Sequence, residues 1–242
     1  MPSTLVDIDQ SIARHFELDY IACDAYHESG SLIELLEDTA MVLGQHGKPI
    51  LVTEFGGNWY GASAPRLKAD LHSGIWSSAF LPLSGAPLFW WFDFLEKHRL
   101  GGEFAAFRRF LAGENARDYS RTPRQVKLRA EHLRILDVGS LAMVGLRSAR
   151  VYLFDKQAAS LWVEPANLAA VPPVDIEIED LAAGRYRVEF WDTGTGRKAQ
   201  EHEAESTGGT LRVTTPPFKR DLAIKVDAAP PGPRPTTGGE KR

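Results

Sequence analysis

Residues 48–57 read Lys48-Pro49-Ile50-Leu51-Val52-Thr53-Glu54-Phe55-Gly56-Gly57. The short apolar run, opened by a proline and closed by a glycine pair, is a buried strand by its length and its β-branched content. A carboxylate at the end of such a strand is costly unless the strand opens onto a site. Upstream, Leu18-Asp19-Tyr20-Ile21-Ala22-Cys23 forms a second apolar run and leads into Asp24-Ala25-Tyr26-His27. Between the two, Leu32, Ile33, Leu35, Leu36, Ala40, Val42 and Leu43 recur at helical spacing. Ser31 stands at the N-cap with Glu34 completing a capping box, and Gly44 and Gly47 mark the end. Downstream, a helix is expected over about 65–80, ended by Pro82 and Gly85. A third strand, Pro87-Leu88-Phe89-Trp90-Trp91-Phe92-Asp93, follows. Gly101-Gly102 then opens a helix over about 103–112 with Phe104, Phe107, Phe110 and Leu111 on one face.

Apolar strands alternating with amphipathic helices describe a parallel sheet covered by helices. The strands begin near residues 18, 49 and 87, a repeat of roughly 30–40 residues that fits an eightfold (β/α) barrel. A doubly wound open sheet shares this pattern, but the Gly-rich phosphate loop of its nucleotide-binding form is missing. From about residue 126 the chain changes character. Short strands are expected at 133–136, 141–146, 150–154, 160–163, 174–178, 185–191, 210–214 and 222–226. Tyr186, Val188 and Phe190 alternate with Arg185, Arg187 and Glu189, and Asp192-Thr193-Gly194-Thr195-Gly196 supplies a turn. The expected class is therefore α/β plus all-β: part of a barrel over 1–116, an antiparallel β-sandwich over 117–227, and a Pro- and Gly-rich disordered tail over 228–242.

Composition is that of a globular protein, with 43% hydrophobic and 25% charged residues, so a normal core can be buried. The formal charge of −4 comes from 28 basic and 32 acidic residues mixed along the chain. This excludes a basic stripe for nucleic acid and a cationic membrane-surface helix. No apolar run reaches the ~18 residues of a membrane span. The N-terminal Met1-Pro2-Ser3-Thr4 lacks the pattern of a secretion signal, and localisation stays open. Cys23 is the single cysteine, so no intramolecular disulfide can form; in its apolar run it reads as a packed thiol. No motif calls for a metal or a cofactor.

The segment around Glu54 resembles strand 7 of the cellulase-like (clan A) retaining (β/α)₈ glycoside hydrolases. The resemblance implies that Glu54 is the nucleophile that attacks the anomeric carbon. One strand upstream, Asp24-Ala25-Tyr26-His27 resembles the family's His-x-Tyr, so Tyr26 is implied to hydrogen-bond the nucleophile. Asp24 departs from the pattern by replacing the histidine. His27 reads either as its substitute or as a solvated loop residue. One strand downstream, Leu88-Phe89-Trp90-Trp91-Phe92-Asp93 resembles strand 8, whose tryptophan floors the sugar site. Neighbouring strand residues face opposite ways, so one tryptophan takes that role: Trp90, with Trp91 beneath a helix. Asn58 and Trp59 would line the cleft or the loop surface. The C-terminal half is similar to the β-sandwich modules that follow such barrels.

The resemblance covers residues 18–116 and lacks an essential part. Retention requires a second carboxylate about 5–5.5 Å from the nucleophile. In this clan it is a Glu after an Asn on strand 4, and no Asn-Glu dipeptide occurs here. Glu28 and Glu96, near the rim, do not match that motif. Strands 6–8 are represented and strands 1–5 are not. The expectation is a C-terminal fragment of an enzyme acting on O-glycosidic bonds of a polysaccharide or oligosaccharide, inactive alone and short of an N-terminal barrel half. Such enzymes are typically secreted or periplasmic. Two other readings stand beside it: a non-catalytic carbohydrate-binding or structural fragment resting on the sandwich, and a pseudo-enzyme that assembles with a separate N-terminal half.

Overall fold

The structure, a computed structural model, describes residues 10–58, 60–115, 119, 124, 126–129 and 137–230. Its first part alternates strand and helix. A short helix α1 (Gln10–Ala13) precedes β1 (Ile21–Ala25), α2 (Leu32–Gly44), β2 (Ile50–Phe55), α3 (Ala64–Ser78), α4 (Phe92–Lys97) and α5 (Gly101–Leu111). The caps explain where the long helices begin. The Ser31 hydroxyl accepts from Ile33 N–H, and Ser63 accepts from Arg66 N–H ahead of a proline in the first turn. Strands β1 and β2 pair in parallel.

The third strand expected at 87–93 does not form as a strand. Residues 84–90 instead run along the far edge of β2 through isolated bonds: Ser84 N–H to Ile50 O, Phe55 N–H to Leu88 O and Trp90 N–H to Phe55 O. Phe92 then already lies in α4. Pairing is thus in the expected order, but the described residues do not close a (β/α)₈ barrel. In α5 the apolar face is also rotated from the expected one: Ala106, Phe107 and Phe110 are buried, while Phe104 and Leu111 are exposed.

The second part comprises β3 (Lys127–Arg129), β4 (Val138–Val144), β5 (Ser148–Asp155), α6 (Lys156–Ser160), β6 (Asp175–Glu179), β7 (Gly184–Asp192), β8 (Arg197–Ser206), β9 (Thr210–Thr214) and β10 (Asp221–Ala228). The expected two-sheet sandwich is one antiparallel sheet of 8 strands, ordered β3-β6-β9-β8-β7-β10-β5-β4. Only the pair Ser206–Leu211 joins β8 to β9, so the sheet turns a corner there. Side chains from both sides of that corner, among them Ile176 and Val213 against Val151 and Ile224, share one core. A bridge between Arg124 and Ala142 brings the chain just before β3 onto β4, curling the sheet toward a half-barrel.

The strand expected at 160–163 does not form: α6, capped by the Asp155 carboxylate accepting from Ala158 N–H, ends at Ser160, and residues 161–163 follow it without regular structure. The one expected at 133–136 lies outside the described residues, as do residues 231–242 of the tail expected over 228–242; Ala228 itself ends β10, and Ala229 N–H donates to Arg185 O at 2.8 Å. Strand β8, with ten residues, has no counterpart in the sequence reading.

Strands β4, β5 and β10 are buried on both faces. One face meets the curled sheet; the other, through Leu141, Met143, Tyr152, Phe154 and Ala223, meets Trp76, Phe80, Phe107 and Phe110 of the helical part. Phe80 stacks on Tyr152 with ring centroids 5.3 Å apart. One core therefore runs through both halves of the chain.

Candidate active site

At the C-terminal end of β2 the strand changes phase. Cys23 pairs with Val52 and Asp24 with Glu54, so Thr53 is an extra residue in a β-bulge. Before it, Ile50 and Val52 are buried toward the helices; after it, Phe55 takes that direction and is fully buried. The bulge thereby turns Glu54 to the face away from the helices. The Thr53 hydroxyl lies 2.8 Å from Asp24 Oδ1 and 3.1 Å from Cys23 O, which pins the bulge to β1.

On that open face the Tyr26 hydroxyl donates to Glu54 Oε2 at 2.8 Å. Partial burial, the hydrogen bond to Glu54 and the charges of Glu54 and Asp24 all push the Tyr26 phenol above its usual range, so it stays a donor. The glycine pair that follows is a steric requirement. Gly56 has φ +119°, and a Cβ there would sit 2.7 Å from the Phe89 ring. Gly57 has φ +62°, and its Cβ would sit 2.6 Å from Ala62 Cβ. Both conformations favour glycine.

The bridge between Phe55 and Phe89 puts both rings toward the helices, which leaves Leu88 and Trp90 on the face of Glu54. Trp90 is 42% exposed there and meets Phe92 edge-on. Trp91 packs against the core and donates from Nε1 to Gly56 O at 2.6 Å. Asn58 lies in the turn that follows, bridged to Gly61, with its Oδ1 buried and without a hydrogen-bond partner. Trp59 lies outside the described residues.

His27 is neither a solvated loop residue nor part of the open face. It is buried, against Asp70 and Arg66. Asp24 is exposed and serves the bulge. Cys23 is half-buried, and burial together with the Asp24 charge pushes its thiol up to about 11, so it is inert as a nucleophile at neutral pH. Sequence reasoning missed the bulge, for which the run Val52-Thr53-Glu54 carries no signal, and Asp70, whose partners are distant in the chain.

Among the described residues no three His, Cys, Asp or Glu side chains are placed to hold a metal ion, and no helix is long and apolar enough to cross a membrane.

No family profile matches the sequence, and neither does any curated protein. Solved structures do. A glycoside hydrolase family 5 protein from Bacteroides vulgatus ATCC 8482 superposes with a TM-score of 0.59 at 12% identity, over 89% of this chain and 53% of that one. A second glycoside hydrolase gives a TM-score of 0.52 at 13% identity, over 88% and 53%. The fold neighbours are glycoside hydrolases. At these identities the likeness is one of fold, and the chain spans about half the length of the structures it matches.

Proposed function

We propose that this chain is the part of a retaining glycoside hydrolase that carries the nucleophile, Glu54, and that it acts on O-glycosidic bonds of a polysaccharide or oligosaccharide once the barrel is complete. The observation that carries the proposal is the 2.8 Å bond from Tyr26 to Glu54 at the ends of neighbouring parallel strands. The C-terminal rim is where barrel enzymes do their chemistry. A nucleophilic carboxylate must be ionised and aimed. A phenol that donates to it favours the charged form and fixes one oxygen, leaving the other to attack the anomeric carbon. Trp90 would offer its ring to the apolar face of the sugar, and Asn58 and Trp59 are proposed as further substrate-binding residues.

The acid/base comes from the missing barrel half in this reading. The open face supports such a partner: Leu51, Leu88 and Trp90 are 37%, 63% and 42% exposed beside Glu54, where a closed barrel would cover them. General acid catalysis is worth ~10²–10⁴-fold, so the 242-residue chain alone should not turn over aryl glycosides measurably. Joined to a strand 1–5 half that carries an Asn-Glu acid/base, it should gain activity that Glu54→Gln abolishes. Turnover by the chain alone that is sensitive to Glu54→Gln would refute the division of labour. Activity of the joined protein that survives Glu54→Gln would refute the nucleophile.

A further inference from the structure

A fully buried carboxylate that the proposed chemistry does not use lies under the two strand ends. Asp70, on α3, accepts from Gly57 N–H at 2.7 Å and from Arg66 Nε at 3.1 Å, and its Oδ2 lies 3.3 Å from His27 Nε2. Arg66 Nη2 also donates to Gly30 O at 2.8 Å and lies 2.6 Å from His27 Nδ1. With Nδ1 accepting from Arg66, the imidazole proton belongs on Nε2, where it is donated to Asp70; this tautomer is assigned from the hydrogen bonds. The clasp is closed by the backbone, because His27 N–H donates to Gly57 O at 2.9 Å. Gly57 is thus held through both its N–H and its C=O.

The placement is specific. His27 directly follows Tyr26, and Gly57 stands three residues beyond Glu54. A buried charge persists only where several partners converge on it, and here every partner belongs either to α3 or to the loops that leave β1 and β2. We infer that Asp70 is a positioning residue: with Arg66 and His27 it locks the two loops together and so keeps the Tyr26 hydroxyl on Glu54. The inference rests on the reading of Glu54 as the nucleophile, but its geometric content can be tested without catalysis.

Nitration of tyrosine by tetranitromethane needs the phenolate, so its rate at Tyr26, followed by peptide mapping of the full chain, reports whether the phenol is held on Glu54. Glu54→Ala, which removes the acceptor, sets the upper limit. Asp70→Asn should raise the Tyr26 rate toward that limit, about tenfold for each pKa unit by which the phenol relaxes. Leu43→Ala, a core truncation in α2 that lowers stability without touching the clasp, should leave the rate unchanged. If Asp70→Asn does not fold, Arg66→Lys carries the test, since it keeps the charge but loses the planar fork. It too should raise the rate. A Tyr26 rate equal to that of the unmodified chain in the folded variant would overturn the inference. So would an equal rise in Leu43→Ala. Neither outcome bears on which carboxylate a sugar substrate labels.

Discussion

The two faces of the β1–β2 sheet differ in how finished they are. Behind it, the layers from helix to curled sheet bury several charges in paired sets. His72 on α3 lies 2.7 Å from Glu103 of α5 and 2.7 Å from Asp221 of β10, and Tyr152 and Thr193 donate to Asp221 as well. Nearby, Glu114 pairs with Arg150 at 2.7 Å and with Lys225 at 2.6 Å. In front, Glu54 has one partner among the described residues, Tyr26, and apolar side chains face outward. The carboxylates of Asp221 and Glu114 each meet several partners, whereas the carboxylate proposed for chemistry has one oxygen committed. In the proposed reading, the difference separates the residues that hold the fold from those that would act on a sugar.

The largest expected effect tests the closed side. Asp221→Ala leaves His72 and the hydroxyls of Tyr152 and Thr193 facing a buried gap, and breaking a buried pair in this way costs about 3–5 kcal/mol. The denaturant midpoint should fall for helical and sheet probes together, because they share one core. A loss confined to one half would show that the halves are separate units.

Next comes Gly56→Val, which places a branched side chain at positive φ against the Phe89 ring. Strain of ~1–3 kcal/mol is expected, read from thermal unfolding. A change below experimental error would mean that the loop after Glu54 is not held as described.

A pH profile sharpens the comparison further. Burial alone would lower the His72 pKa, but the Asp221 and Glu103 carboxylates outweigh it and raise it from 6.5 to about 10. The folded state then holds a proton that the unfolded chain gives up. This contribution is fully present below the unfolded value near 6.5 and is lost as pH rises toward 10. For Asp221 burial would raise the pKa, but the His72 charge and three hydrogen bonds lower it. Its contribution is present above the model-peptide range and disappears only in stronger acid. Unfolding free energy should therefore decline between about pH 6.5 and 10, and the decline should flatten in His72→Leu. An unchanged slope in that variant would assign the loss to other groups.

The smallest effects on the fold are expected on the open side. Tyr26→Phe and Trp90→Ala should each change stability by less than ~1 kcal/mol, since both side chains are partly exposed. In a completed barrel, Tyr26→Phe should slow glycosylation and Trp90→Ala should lower kcat/KM. Losses of stability as large as that of Asp221→Ala would make these residues structural.

What could be read from the sequence follows from this layering. Strands with a buried face announce themselves: 150–154, 185–191, 210–214 and 222–226 lie within observed strands, and 174–178 differs from one by a single residue. Strand β8, Arg-Lys-Ala-Gln-Glu-His-Glu-Ala-Glu-Ser, buries little on either face and has no apolar period, so nothing in its pattern marks it. Leu161, Trp162 and Val163 are apolar, but a helix capped by Asp155 takes the residues just before them and ends at Ser160, a local choice that the hydrophobic pattern does not register. At the site, the strand–Glu–Phe–Gly–Gly string and Tyr26 were legible because each sits at the end of a marked strand. The bulge at Thr53 and the clasp of Asp70, Arg66 and His27 were not, since both depend on contacts between segments about 30–40 residues apart.

The central claim is that Glu54 is the residue that bonds to the sugar. Its most direct test is to treat the completed barrel with a 2-deoxy-2-fluoro glycoside bearing a good leaving group, and to map the labelled peptide by mass spectrometry. A single glycosyl adduct is expected on Glu54, absent in Glu54→Gln. An adduct on any other carboxylate, or labelling that persists in Glu54→Gln, would contradict it.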